Sequence, residues 1–382
     1  MTEALFILGG LFLWAALHPF TTYPLSLLLI RRWRRAPAIG AGSPERRETF
    51  AICFCAYNEE RVIDAKMRNL LELRRALPGL EILVYVDAAT DRTAERLRRY
   101  ADQITLHVSS ERLGKTHGMN LLAERTTASI IVFTDANVML DGAALANLRR
   151  YFADPRVGCV CGHLLYVNPH QSVTAGNGSL YWRLEEWIKQ LETETGSAMG
   201  ADGSLFAIRR SLRQRVPDDI IDDMFVSLAV LRDGYRVVRA PDVMAYEETV
   251  TEASEEFRRK IRIACQAFNV HRLLWPDLRR LDPLTVYKYV SHKLLRWLSI
   301  YSLLSSCLCG EAALMLAGLT PAAVELTALG GVALLVGKNW PVRPFAQIWD
   351  IFNALLATGI GVWLSLRGEQ FRTWTPAASI RG

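Results

Sequence analysis

Glycine-rich phosphate loops are missing from this chain. No G-x-G-x-x-G follows the first strand-like run and no G-x-x-x-x-G-K-[ST] occurs anywhere, which excludes the fingerprints of a dinucleotide dehydrogenase and of a P-loop enzyme. The C-x-x-C spacing of zinc sites is absent too. Among the seven cysteines are three C-x-C pairs, Cys53 and Cys55, Cys159 and Cys161, Cys307 and Cys309, and zinc sites use wider spacing with histidine partners. The first two pairs lie in strand-like runs, where alternation turns both sulfurs to one face, so packed and reduced thiols are expected. The N-terminal Met-Thr-Glu carries no basic residue and no small-residue cleavage site follows the first apolar run. That run is therefore expected to stay as an anchor and not to be removed as a secretory signal. No nucleic-acid motif occurs, so nucleic acid is not an expected partner despite a net charge of +6.

What is present in excess is apolar sequence. Hydrophobic residues make up 51% of the 382, and the mean hydropathy of +0.11 is high for a soluble protein. From Ala4 to Ile30 no side chain carries a formal charge except whatever His18 holds, a stretch long enough to cross a hydrocarbon layer of about 30 Å. It reads as a spanning helix kinked near Pro19. Arg31 to Arg35, RRWRR, follow at once, and the positive-inside rule then places the next domain in the cytoplasm. Basic residues beside such segments suit anionic lipid heads and account for the net charge.

The expected organisation is an anchor over 1–35, a linker over 36–48, a cytoplasmic domain over 49–287, and a membrane domain with a tail over 288–382. In the last part Trp297–Gly318 and Ala322–Gly337 form a hairpin about Leu319-Thr320-Pro321. Phe345–Leu366 is apolar enough for a third crossing, but that would export a tail whose Arg367, Arg372 and Arg381 favour the inside. One apolar segment is left to lie in the interface or to re-enter, giving two to three helices.

Between the apolar ends, short apolar runs alternate with helical ones. TFAICFCA leads into a helix ending near Leu77, EILVYVDA into DRTAERLRRYA, QITLHV into GKTHGMNLLAERT, and SIIVFTDA into DGAALANLRRYF. This alternation predicts an α/β fold with a doubly wound sheet and right-handed crossovers, with ligands at the carboxyl ends of the strands. Those ends are polar: Tyr57-Asn58-Glu59-Glu60, Asp87 with Asp91, Arg112 with Lys115 and His117, and Asp135-Ala136-Asn137. Any one of them alone is as readily a turn or a helix cap. Together they suit a divalent cation and phosphates, because carboxylates hold hard cations and lysine neutralises phosphate oxygens. Asp222-Asp223 open a later helical run, where a cap with a favourable dipole is the plain alternative.

In order and spacing, AYNEE, VDAATD, GKTHGMN, FTDAN, GADGSLFAIRR, IDDMF and FRRKIR resemble the membrane-bound inverting glycosyltransferases of family 2, with a GT-A fold. SHKLLRW at 291–297 and the late Thr-Trp near residue 374 are similar to features of a bacterial exopolysaccharide branch. The resemblance implies that Ala56, Tyr57 and Glu59 hold the base and ribose of a nucleotide, preferably a UDP-sugar, that Asp87 contacts the base, and that Lys115 with Asn120 lies near the donor. It implies Mg²⁺ or Mn²⁺ at Asp135, with the neutral Asn137 at the third position of the D-x-D element. Asp223 matches the general base, with Asp222 in place of the family's glutamate and Gly234-Tyr235 at the family's interval. Gly200, Ala201, Asp202 and Gly203 match the acceptor-side loop, Asp202 facing the donor sugar.

Arg262 is kept from the family's Q-x-x-R-W element and can serve the diphosphate, while Arg259 replaces the glutamine and Ile263 the tryptophan on which processive synthases stack their glycan. Transfer of one sugar or a short run, to a membrane-held glycan or lipid acceptor in surface or exopolysaccharide synthesis, is therefore the expected activity. A polyprenyl-phosphate sugar transferase is the alternative enzyme, which calls for more basic residues near the acceptor loop than GADGS offers. A non-catalytic nucleotide-binding subunit of an export complex is the alternative from another class.

Overall fold

The computed structural model describes residues 1–37, 48–167, 173–248, 253–340 and 342–373. Most of the expected linker, and the tail from Trp374 onward, lie outside the described residues. The N-terminal apolar run is not one spanning helix. Helix α1 (Thr2–Leu17) gives way at Pro19 to a 3₁₀ turn, His18–Phe20, and α2 (Thr22–Trp33) follows. Tyr23 and Leu27 of α2 pack on Ile188 and Leu191 of the long helix Val173–Glu194. The Tyr23 hydroxyl donates to Glu192 Oε1 at 2.6 Å, and Arg31 pairs with Glu194 at 2.8 Å. A span needs about 20 residues, so the surplus apolar sequence docks the membrane helix onto the next domain.

That domain begins with β1 (Phe50–Ala56), α3 (Ile63–Ala76), β2 (Glu81–Asp87), α4 (Thr93–Arg98), β3 (Thr105–Ser109), α5 (Lys115–Arg125) and β4 (Ile130–Thr134). These four strands are parallel. It continues with β5 (Met139–Leu140), α6 (Ala144–Phe152), β6 (Val157–Val167), α7 (Val173–Glu194), β7 (Leu205–Arg209), α8 (Asp222–Arg232) and β8 (Arg236–Glu248). All eight strands form one sheet of order β3-β2-β1-β4-β7-β6-β8-β5. Strand-to-helix alternation holds over the first half, while the second half is mixed.

The mixed half is what builds the site. Because β7 runs antiparallel to β4, with Leu205 opposite Thr134, the loop before β7 arrives beside the carboxyl end of β4. Likewise Tyr246 of β8 pairs with Met139, which brings the end of β8 alongside the Asp135–Val138 turn. The strand order reverses between β1 and β4, the position at which open α/β sheets leave a ligand crevice.

Two cores cover the sheet. Alternation sends Ala51, Cys53 and Cys55 with Cys159 and Cys161 to one face, and Phe50, Ile52 and Phe54 to the other. All seven cysteines are free. Burial raises the thiol pKa of the two strand pairs, which keeps them unreactive.

The remainder is helical: α9 (Ala253–Leu278), α10 (Pro283–Tyr289), a π-helical turn at Val290–Leu294, α11 (Leu295–Leu316), α12 (Thr320–Asn339) and α13 (Phe345–Leu366). The buried His292 in the π turn joins this part to α7, with its ring nitrogens 2.7 Å from Glu192 and 3.0 Å from Glu185. Among the described residues, four helical stretches are long and apolar enough to cross a membrane: Thr2–Phe20, Pro283–Leu316, Thr320–Asn339 and Phe345–Leu366. The last of them packs along α9. A Cβ at Gly361 would meet Ala264, and Ser365 Oγ lies 2.6 Å from Asn269 Oδ1. Beyond α13 the chain folds back, with Asn269 donating to Glu369 O at 3.0 Å and Gln266 to Phe371 O at 2.7 Å. The described end of the chain therefore lies on the α/β domain.

Candidate active site

The strand ends at one side of the crevice are tied together. Asn58 and Ala88, just past β1 and β2, both have φ of 52°, a left-handed conformation that is strained for alanine and tends to cluster at functional sites. Asn58 Oδ1 accepts from the Thr90 backbone N–H at 2.8 Å, and the Glu59 N–H donates to Thr93 Oγ1 at 2.7 Å. Ala56 is buried at the last position of β1. The Arg112 guanidinium lies 3.5 Å from the Tyr57 ring centroid. Asp87 is fully buried and accepts from Leu113 N at 2.8 Å and from Gly114 N at 3.1 Å, with Arg112 Nε 3.6 Å away. One carboxylate thus shapes the loop that leads into α5.

Positive charge enters at the N-terminus of α5. Lys115 Nζ lies 2.6 Å from Asp135 Oδ1 at the end of β4. Burial works against its charge, but Asp135, Asp222 and Asp223 more than offset that and hold the ammonium above the ordinary lysine value. Behind the same turn the buried Lys66 donates to Val138 O and to Thr134 Oγ1 at 3.3 Å, with burial lowering its pKa to about 7. Asn137 Nδ2 donates to Glu247 Oε1 at 3.0 Å. Burial raises the pKa of Glu247, with Asp135 adding to the effect and Arg259 opposing it. Arg262 is within electrostatic reach of Asp135 too; burial and Arg259 lower its pKa against that attraction. Among the described residues no group of three or more His, Cys, Asp or Glu could hold a metal alone.

The other wall is the loop before β7 with the start of α8. Gly200 has φ +125°, Ala201 N–H donates to Ser227 Oγ at 3.1 Å, and Asp202 pairs with the buried Lys189, with Cys161 Sγ at 3.7 Å. Asp223 Oδ1 accepts its neighbour's N–H, Met224 N, at 2.6 Å. Burial, then the adjacent Asp222, lifts its carboxyl pKa to about 7. Asp222 Oδ2 is buried with no hydrogen-bond partner among the described residues. A Cβ on Gly203 would stand 2.7 Å from Asp223 Oδ2 and 3.4 Å from Lys115 Nζ. Gly203→Ala should therefore push base and lysine apart and lower kcat about 100-fold, the cost of an ångström-scale misplacement, with the melting temperature little changed. Unchanged kcat would show that neither group needs its present position.

The structure thus brings Lys115, Asp135, Asp202, Gly203, Asp222 and Asp223 into one crevice, with Tyr57 and Asp87 at the neighbouring strand ends. Asn120 is placed differently. Its amide is engaged with Val216, accepting from the backbone N–H at 3.1 Å and donating to the carbonyl at 2.7 Å. Sequence reasoning missed Glu247, Lys66 and Lys189, whose positions depend on β8, α3 and α7 packing onto the crevice. It missed the returning tail as well: a Cβ on Gly114 would collide with Arg372 O. Only Glu247-Glu248 at the end of a strand-like run carried any local signal.

A mixed α/β sheet with a switch-point crevice of this composition, flanked by apolar helices, defines a GT-A-like glycosyltransferase. Residues 51–216 match the family model described as Glycosyl transferase family 2, so the chain carries a domain of that family and is a hexosyltransferase-type enzyme. It is 23% identical over 296 residues to an N-acetylglucosaminyltransferase of Rhizobium meliloti (strain 1021), covering 72% of this chain and 69% of that protein. It is 24% identical over 227 residues to a beta-monoglucosyldiacylglycerol synthase of Nostoc sp., covering 56% and 48%, so it spans about half the length of that relative. Among solved structures, the mannosyltransferase PcManGT from Pyrobaculum calidifontis, in complex with GDP-Man and Mn²⁺, is similar in fold with a TM-score of 0.74 and 24% identity, over 97% of this chain and 100% of that one.

Proposed function

We propose that this enzyme transfers a sugar with inversion from a nucleotide-diphosphate sugar, with a UDP-sugar favoured, to a membrane-held glycan or lipid acceptor. The observation that carries the reading is the convergence of Asp223 Oδ2 and Lys115 Nζ on one point, 2.7 and 3.4 Å from where a Cβ on Gly203 would stand. A sugar hydroxyl is a weak nucleophile, and a carboxylate with a pKa near neutrality can take its proton as it attacks the anomeric carbon. Lys115, with Arg259 and Arg262 nearby, supplies positive charge for the diphosphate on the other side of that carbon. A single displacement gives inversion. Tyr57, Glu59 and Asp87 would hold the nucleotide, and Asp202, kept in place by Lys189, would face the sugar.

The oxygen donors Asp135 and Asn137 fit a hard cation, Mg²⁺ or Mn²⁺, that keeps waters and takes further ligands from substrate phosphates. When bound, such an ion would stabilise charge on the departing diphosphate. The Mn²⁺ and GDP-Man held by PcManGT support a cation and a nucleotide sugar here.

One observation favours a lipid-phosphate acceptor. A Cβ on Gly200 would lie 3.8 Å from Lys293 Cε, so the membrane-proximal π turn brings the acceptor loop a cation that its own sequence lacks. Full-length protein in detergent, supplied with a panel of nucleotide sugars and either polyprenyl phosphate or a glycolipid extract, tests both acceptors. Acceptor-dependent nucleotide release with a lipid product of the right mass supports transfer; no release with any donor would overturn it.

The catalytic domain is read as cytoplasmic on a bacterial inner membrane, and the folded-back end supports a tail on the same side. An even number of crossings must then separate α9 from residue 369. Of the three apolar helices between them, α13 is the one packed along α9, so α11 and α12 form the crossing pair while α13 stays at the interface. A single cysteine placed at Glu369 in a cysteine-free background should resist an impermeant maleimide in intact cells and react after lysis. Labelling in intact cells would reverse this topology.

A further inference from the structure

We infer that Glu247 supplies the second carboxylate of the cation site, in place of the acid that Asn137 lacks. This rests on the cation-dependent reading above and adds to it a residue from a distant strand. The third position of the Asp135-Ala136-Asn137 element is a neutral amide, and a neutral oxygen is a weaker ligand for a hard cation than a carboxylate. Pairing of Met139 with Tyr246 carries the end of β8 past this turn. Alternation along the strand sends neighbouring side chains to opposite sides. Tyr246 accordingly turns to Asp141, at 3.3 Å, and Glu247 meets Asn137, at 3.0 Å.

Both carboxylates already have cations beside them. Lys115 stands on Asp135 at 2.6 Å, and Arg259 lies within electrostatic reach of Glu247 and Asp135. Two carboxylates and an amide oxygen then match a divalent ion in charge, which leaves Lys115 and Arg259 to neutralise the diphosphate. Two carboxylates plus substrate oxygens is the set expected for an Mg²⁺- or Mn²⁺-type site.

The test is Mn²⁺ binding to the full-length detergent-purified protein, followed by electron paramagnetic resonance, with Mn²⁺ alone, with UDP and with GDP. Glu247→Gln keeps a hydrogen-bonding group beside Asn137 and should weaken Mn²⁺ binding about tenfold or more. Asn137→Asp added to Glu247→Gln should bring it back to within a few-fold of wild type, since the carboxylate has only moved across the contact. If Glu247→Gln melts early, Glu247→Asp, which keeps a carboxylate one methylene shorter, should bind Mn²⁺ more weakly than wild type but more tightly than Asp135→Asn; affinity equal to wild type would count against Glu247. Mn²⁺ affinity unchanged in Glu247→Gln while Asp135→Asn loses it would overturn the role of Glu247 and leave the cation reading standing. Wild type and Asp135→Asn binding Mn²⁺ equally would overturn both.

Discussion

Asp223→Asn should lower turnover by about 10²- to 10⁴-fold, the range that a positioned general base contributes, while the KM for the donor changes little. The substitution keeps the volume and the acceptor oxygen for the Met224 N–H and removes the ability to take a proton, together with one of the three charges that act on Lys115. The pH profile gives an independent check. Burial and Asp222 raise the Asp223 carboxyl to about 7, so below that pH the base is protonated in the free enzyme. In wild type kcat/KM should therefore fall as pH drops through about 7 and level off above it. Asp223→Asn should lose that limb as well as the rate. A variant that kept more than about a tenth of wild-type turnover would show that the base lies elsewhere, with Asp222, whose Oδ2 has no hydrogen-bond partner among the described residues, the next candidate.

Asp135→Asn should cost about 10²- to 10³-fold in kcat, the scale seen when one group stabilising developing charge is removed. It should also abolish dependence on added Mg²⁺ or Mn²⁺. The wild-type enzyme should lose activity to a chelator and regain it when either ion is restored. The substitution has a second consequence, because it takes away the nearest partner of Lys115. Asp222 and Asp223 become the main attractions on that ammonium, so Lys115 should drift toward the base and depress its pKa. The acid limb of the pH profile should accordingly move down in Asp135→Asn. Near-normal turnover with an intact response to Mg²⁺ would remove Asp135 from the cation site.

Much of the architecture was legible because it rests on local rules. The alternation in TFAICFCA and SIIVFTDA carries the period of a buried strand, and the observed alternation of Cys53 and Cys55 against Ile52 and Phe54 follows from that period alone. Asp87, Lys115 and Asp135 stand out in the sequence because each closes or follows a strand or opens a helix at the sheet edge, and the structure sets them at the crevice. The Ala4–Ile30 run was misjudged as one span because hydropathy cannot separate lipid from a protein partner. Tyr23 and Leu27 are apolar for the sake of Ile188 and Leu191, residues far away in the chain. The same blindness left open which of the late apolar helices crosses, a question that the hydrogen bonds from Gln266 and Asn269 to the tail now bear on.

By itself, then, the sequence determined the strand-helix alternation, the polar carboxyl edge, the apolar ends and the order of motifs that resemble family 2 glycosyltransferases, since period and turn chemistry act between near neighbours. Only the tertiary structure decided that an antiparallel β7 brings Gly203 up against both Asp223 and Lys115, that β8 sets Glu247 against Asn137, and that residue 372 returns to Gly114. Those are contacts between segments that neither propensity nor spacing couples. The sheet order creates them, and with them the electrostatic field in which a buried carboxyl holds its proton to about pH 7.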